Sequence, residues 1–271
     1  MNDDGVRTER RGRVLVVTMD RGKANAINHA MSRAMFRAFT TLQEDPELLV
    51  GILRSANPKI FSGGWDLKEV ASGIHLPDDY YDPEIGHGRG GFAGLAENWE
   101  LDKPLIAAVQ GAAVGGGFEM ILACDTIIAA EGTYFQLPEL MRGFLPDAGG
   151  IQRLPKLIPP KVAGTMILTG RRMPAEEAMR WGLVHDVVPA AALMDEAMKL
   201  AETVVKAAPL ATQALKAVLR QNENLSAREA SDRARRGHSG LPIYERMMRS
   251  EDFYEGPRAF AEKRDPVWKG K

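Results

Sequence analysis

The chain has 271 residues, 45% apolar and 26% charged, enough for a substantial core in one large domain or a domain with an appendage. Its 35 basic and 36 acidic side chains leave a net charge of -1, which gives no electrostatic basis for nucleic acid or an anionic membrane as the main partner. A single cysteine, Cys124, excludes an internal disulfide framework and fits a reducing compartment.

Residues 1–13 are polar and charged and have no apolar signal-peptide core, so the expected location is cytoplasmic. Val14–Met19 is β-branched and apolar and reads as a strand. Asn28 can cap a helix running to about Glu44, with an apolar stripe of Met31, Met35, Phe39 and Leu42. Residues 48–53 read as a second buried strand, and 61–66 as a glycine-containing loop. Residues 73–94 hold Gly, Pro, Asp and Tyr without periodicity, which predicts a long surface loop of the kind that is often functional.

Leu105–Val109 reads as another strand, followed by a glycine run, a helix to about Cys124 and a returning strand at 126–129. Residues 104–130 are the most apolar stretch, yet Glu119, Asp125 and the run Gly115-Gly-Gly117 interrupt it, which argues against one membrane-spanning helix. Strand and helix alternate through the first two-thirds, the pattern of an α/β core. From about Leu193 the pattern is helical, over residues 190–207, 210–221 and 227–249. The expected division is a core over 1–192 and a helical region over 193–271.

The segment Gln110-Gly-Ala-Ala-Val-Gly-Gly-Gly-Phe-Glu119 runs from a strand end through glycines into a helix. The first N–H groups of a helix lack internal acceptors, which suits an anion or a developing oxyanion. A glycine turn needed only for close packing accounts equally well for the spacing. Phe61-Ser-Gly-Gly-Trp-Asp66 could supply a further N–H, or be a turn with Asp66 as a helix cap. Glu119 sits between Phe118 and Met120, and Glu139 follows Pro138. Carboxylates among apolar neighbours acquire raised pKa values and can run acid–base chemistry near neutral pH, although each alone could equally be structural. The five histidines have no metal-ligand spacing, so no metal is expected. No Walker motif, dinucleotide fingerprint or nucleophile elbow occurs, and Cys124 reads as a packing residue. Arg228, Arg233, Arg235 and Arg236 read as a solvated helix face.

Taken together, Lys23-Ala-Asn-Ala26, Phe61–Asp66, Ile106-Ala-Ala-Val-Gln-Gly111, Gly115–Glu119, Leu137-Pro-Glu139, Pro146-Asp-Ala-Gly-Gly150 and Phe260-Ala-Glu-Lys263 resemble the crotonase (enoyl-CoA hydratase/isomerase) superfamily, in its order and over nearly the whole chain. The resemblance implies an α/β spiral of ββα turns followed by a C-terminal helical trimerisation region, as a homotrimer or dimer of trimers. It implies an acyl-CoA thioester as partner, with no cofactor beyond the coenzyme A of the substrate and with neither nucleic acid nor membrane as partner. By position, Trp65 and Gly116 match the amides of the oxyanion hole, and Glu119 and Glu139 the two catalytic glutamates of the hydratases. Lys23, Ala24, Ala26, Asp66, Leu67 and Lys68 match CoA-contacting positions. Phe260 and Lys263 match C-terminal residues that reach the CoA, in some members from an adjacent subunit. Two departures stand out: Gly63 replaces the usual Ala, and Gly22 a common Pro.

Retention of both glutamates favours a hydro-lyase, acting reversibly on a short-chain enoyl-CoA or 3-hydroxyacyl-CoA. A narrower resemblance, carried by residues 90–95, 101–104, 169–173, 176–182 and 255–270, is to the branch acting on carnitinyl-CoA and crotonobetainyl-CoA. In that reading Tyr80 and Tyr81, with Asp78, Asp79 and Asp82, are candidates to meet a trimethylammonium group, the alternative being a solvated loop. Two other functions compete: double-bond isomerisation on the same oxyanion hole, and a non-catalytic RNA-binding role, against which the near-zero net charge speaks.

Overall fold

A computed structural model describes residues 4–73, 79–235 and 237–271 of the chain. Its centre is a six-stranded sheet. β1 (Val6–Arg11) pairs antiparallel with β2 (Val14–Met19). From β2 the ladder runs parallel through β3 (Val50–Ser55), a strand we number β5 (Leu105–Val109), then β7 (Thr126–Ala130) and β10 (Asp186–Val188). Both faces are covered, so the inner strands read as continuous apolar runs. Leu15, Val17, Leu105, Ala107, Val109, Ile127 and Ala129 face the main core. Their alternates Val14, Val16, Ile106, Ala108, Ile128 and Ala130 face a second cluster.

The main core is closed by α1 (His29–Glu44). Asn28 caps it by accepting from the Met31 amide at 2.9 Å, and Met31, Met35, Phe39 and Leu42 are fully buried, as their spacing predicts. A second, smaller sheet lies beyond. β4 (Ile60–Ser62), β6 (Ala112–Val114) and β8 (Tyr134–Gln136) run parallel, with the two-residue β9 (Met173–Pro174) antiparallel at the edge. Short helices follow: α2 (Leu67–Ala71) and α3 (Gly116–Ile121) after β4 and β6, then α4 (Gly150–Leu157), α5 (Pro160–Thr169) and α6 (Ala175–Arg180). The second cluster is covered by α7 (Leu193–Val205), which places Leu193, Ala197 and Ala201 against the sheet. Helices α8 (Pro209–Asn222), α9 (Ala227–Arg233), α10 (Pro242–Arg249) and α11 (Glu251–Glu262) complete the chain. No described helix is long and apolar enough to cross a membrane.

Two expectations need correction, and one strand was covered by no expectation. The charged N-terminal stretch holds β1, an edge strand whose outer residues are exposed and polar, so it lacks the apolar signature of an inner strand. A single helix over 227–249 does not form, because Gly237 and Gly240 adopt positive φ (81° and 66°) and Pro242 begins a new helix. The expected surface loop at 73–94 is only partly one: residues 74–78 lie outside the described residues, and 86–88 and 90–96 are buried. Gly94 (φ +61°) permits this, since an added Cβ would sit 2.3 Å from the Phe36 amide nitrogen on α1.

Candidate active site

The three parallel strands of the small sheet end at one place. Beyond β4 comes Gly63–Trp65, beyond β6 Gly115 and Gly116, and beyond β8 Glu139. Ligands of α/β proteins bind at such carboxyl ends of parallel strands. Here they border a cavity of about 690 Å³ lined by Trp65, Gly116, Glu119 and Glu139 together with Asp147, Arg142 and residues of the 80–97 segment. The sequence therefore names residues that the fold brings together from four segments.

Glycine makes the approach possible. Gly64 has φ +82°, and a Cβ there would meet the Gly116 nitrogen and the Val114 oxygen at 2.7 Å each. The two glycine loops thus touch backbone to backbone. Gly116 is the first residue of α3, where an N–H has no acceptor within the helix. Trp65 lies between two fixed amides: Ile27 N–H donates to Gly64 O at 2.8 Å and Asp66 N–H to Ile27 O at 2.9 Å.

Glu119 projects from α3 and is 3% exposed. Its Oε1 accepts from the Gly150 amide at 2.8 Å, at the start of α4. Burial pushes its carboxyl up to about 8, helped by the negative neighbours Glu139 and Asp147 and opposed by that amide. Glu139 opens a single 3-10 turn (Glu139–Arg142), and burial pushes it up to about 7. Its Oε1 lies against Gly115, where an added Cβ would come within 2.8 Å, while its buried Oε2 accepts no hydrogen bond from the described residues. One carboxyl is anchored and the other keeps an oxygen with no partner among the described residues, a pairing suited to passing protons at near-neutral pH.

Lys23, Ala24 and Ala26 run beside the 61–66 loop, joined by Gly63 N–H to Ala24 O at 2.8 Å. Asn25 fixes this crossing from within. It is fully buried at φ 46°, and its Nδ2 reaches Met19 O, Ser55 Oγ and Phe61 O. Asp66 caps α2 and pairs with Arg21 at 2.8 Å, which helps hold its carboxyl below the usual range against the opposing effect of burial. Leu67 lines the cavity, and Lys68 is exposed beside it. Phe260 and Lys263 are not brought to it: both lie on or at the end of α11, with Phe260 87% exposed.

Of the residues picked out for a trimethylammonium group, Tyr80 and Tyr81 line the cavity, whereas Asp78 lies outside the described residues. Asp79 and Asp82 do not line it, and Asp82 instead accepts from the Glu84 and Ile85 amides to close its own turn. The carboxylate beside the tyrosines is Glu97, hydrogen-bonded to the Tyr81 hydroxyl. Glu97, Phe144 and His87 were not legible as site residues, because no motif marks them and they converge only through the fold. Cys124 packs against the main core with its thiol pushed up by burial, which leaves it no nucleophilic role in this cavity.

The family described as enoyl-CoA hydratase/isomerase matches residues 9–271. Proteins named carnitinyl-CoA dehydratase from Salmonella paratyphi A and Salmonella enteritidis are each 50% identical over 262 residues, 97% of both chains. A crystal structure of enoyl-CoA hydratase from Mycobacterium tuberculosis superposes with a TM-score of 0.86 at 36% identity, over 99% of this chain and all of that one. A crystal structure of carnitinyl-CoA hydratase from Mycobacterium avium does so at 0.74 and 38%, over the full length of both.

Proposed function

The chain belongs to the enoyl-CoA hydratase/isomerase family, and on that premise we propose that it is a hydro-lyase adding water across the double bond of a short 2-enoyl-CoA and removing it from the 3-hydroxyacyl-CoA. The observation that carries this reading is the meeting of the buried Glu119, the half-buried Glu139 and two strand-end loops at one cavity. In the hydration direction the thioester oxygen lies between the amides of Trp65 and Gly116. The ionised glutamate takes a proton from water as the water oxygen bonds to Cβ. The π electrons move onto the thioester as an enolate, which the two amides stabilise, each being worth about 3–4 kcal/mol in such a setting. The protonated glutamate then gives its proton to Cα. Carboxyls poised near 8 and 7 supply one acid and one base at neutral pH, and the two titrate as a unit.

Crotonobetainyl-CoA and carnitinyl-CoA are the proposed substrate pair, a choice supported by the named relatives. Lys23, Ala24, Ala26, Asp66, Leu67 and Lys68 are proposed to border the CoA, and Phe260 and Lys263 to reach it from an adjacent subunit of a homotrimer or dimer of trimers. Apolar residues exposed on α8 and α11, among them Leu215, Leu219 and Phe253, are consistent with faces awaiting a second copy. No cofactor beyond the substrate's CoA is invoked, and the working compartment is taken to be the cytoplasm. The test is to supply 2-enoyl-CoA and 3-enoyl-CoA separately. Water addition to the first supports the reading. Migration of the double bond in the second without any hydration replaces it with isomerisation.

A further inference from the structure

Resting on the hydratase reading, we propose that Arg153 is a positioning residue for the reaction, its guanidinium clamping the start of α4, which anchors Glu119, to the segment of the cavity wall that carries Glu97. Arg153 is half-buried on α4 and does not itself line the cavity. Its Nη2 donates to Ala96 O at 2.7 Å, and its guanidinium lies over the Trp99 ring, 5.1 Å from the centroid. Ala96 is buried and precedes Glu97, whose amide donates to Gly90 O at 3.0 Å. The same guanidinium also reaches the turn that holds Glu119. An added Cβ at Gly149 would lie 2.5 Å from Arg153 Nη1 and 3.6 Å from the Glu119 carbonyl oxygen. The Arg153 amide closes that turn by donating to Gly149 O at 2.8 Å. The next residue, Gly150, is the one whose amide holds Glu119 Oε1.

The side chain acts on Glu119 in two ways. The first is mechanical. A guanidinium presents its donors in a rigid planar fork, so one group can hold Ala96 and pack on Gly149 at a fixed geometry. With that clamp in place the Gly150 amide, and with it the Glu119 carboxyl, keeps one position relative to the cavity wall. A displacement of about 1 Å in a reacting group can cost on the order of 10²-fold in rate. The second is charge. Burial weakens the hold of Arg153 on its proton, and Glu223, Glu97, Glu119 and the Cys124 thiol oppose that. Glu223 also pairs with Lys156 at 2.9 Å. An arginine stays charged throughout, so Glu119 has a permanent cation to set against its negative neighbours Glu139 and Asp147. Without that cation Glu119 ionises less readily.

The test is hydration of crotonyl-CoA by Arg153→Gln, which keeps a donor but no charge, and by Arg153→Lys, which keeps the charge but not the fork. Both are expected to lower kcat about tenfold with KM within about twofold of the wild-type value. The alkaline limb of kcat/KM is expected to move up by about half a pH unit in Arg153→Gln and to stay in place in Arg153→Lys. A merely structural role gives a different result: fewer active molecules and a lower melting temperature, with the limb unmoved in both variants. An unmoved or lowered limb in Arg153→Gln, a loss confined to KM, or wild-type kcat in Arg153→Lys overturns the proposal. The last of these decides it even if Arg153→Gln does not fold. A wild-type enzyme that hydrates no enoyl-CoA removes the hydratase reading itself.

Discussion

At the scale of single residues, the division of labour between Glu119 and Glu139 follows from their surroundings. Glu119→Gln and Glu139→Gln are each expected to lower kcat by about 10²-fold or more, measured on crotonyl-CoA, because each removes one half of a proton relay. The pH profile of kcat/KM in the unmodified enzyme is expected to be bell-shaped, with apparent limbs close to 7 and 8 that belong to the pair. Gly115→Ala is a sharper probe, since the new methyl would enter the space of Glu139 Oε1 at a backbone φ of +58°. It is expected to reduce kcat without abolishing thioester binding, as read from product inhibition. Glu119 and Glu139 were legible because a carboxylate inside an apolar run is unusual on its face. Glu97 was not, because it stands in an ordinary polar stretch and gains meaning only from the neighbour the fold supplies.

At the scale of elements, what could be read was what carries a period. The stripe on α1 and the uninterrupted apolar runs of β2 and β5 fixed those elements to within a residue or two. The edge strand β1, the break between α9 and α10 and the buried course of residues 86–96 escaped, because they are set by pairing, by glycine φ angles and by packing on a distant helix. That packing makes a prediction. Gly94→Ala would press a methyl onto the Phe36 and Ser32 backbone of α1, which cannot yield as a flexible side chain would. With the positive φ added, a loss of roughly 2–4 kcal/mol is expected, measured by denaturant unfolding. Ser250→Ala is expected to cost about 1 kcal/mol, since the Ser250 hydroxyl accepts from the Phe253 amide at 3.1 Å to cap α11.

At the scale of the whole molecule, the two raised carboxyls link stability to pH. A carboxyl whose folded pKa exceeds its unfolded value favours the folded state while protonated, below about 4.5, and that contribution is lost as pH rises through about 8 for Glu119. Glu119→Gln, a neutral near-isostere, is therefore expected to raise the melting temperature by several degrees at pH 9 and to leave it nearly unchanged at pH 5. Sedimentation is expected to give a mass of three or six 29.7 kDa chains. The side-by-side alignment of β4, β6 and β8 has a consequence for how such a chain acquires new chemistry. Trp65, Gly116 and Glu139 stand just past the last rungs of their strands, and Glu119 on the helix that follows β6, so exchanging these side chains disturbs no ladder bond. A different reaction is thus reachable by exchanging side chains at three adjacent tips, while the scaffold beneath them keeps its register.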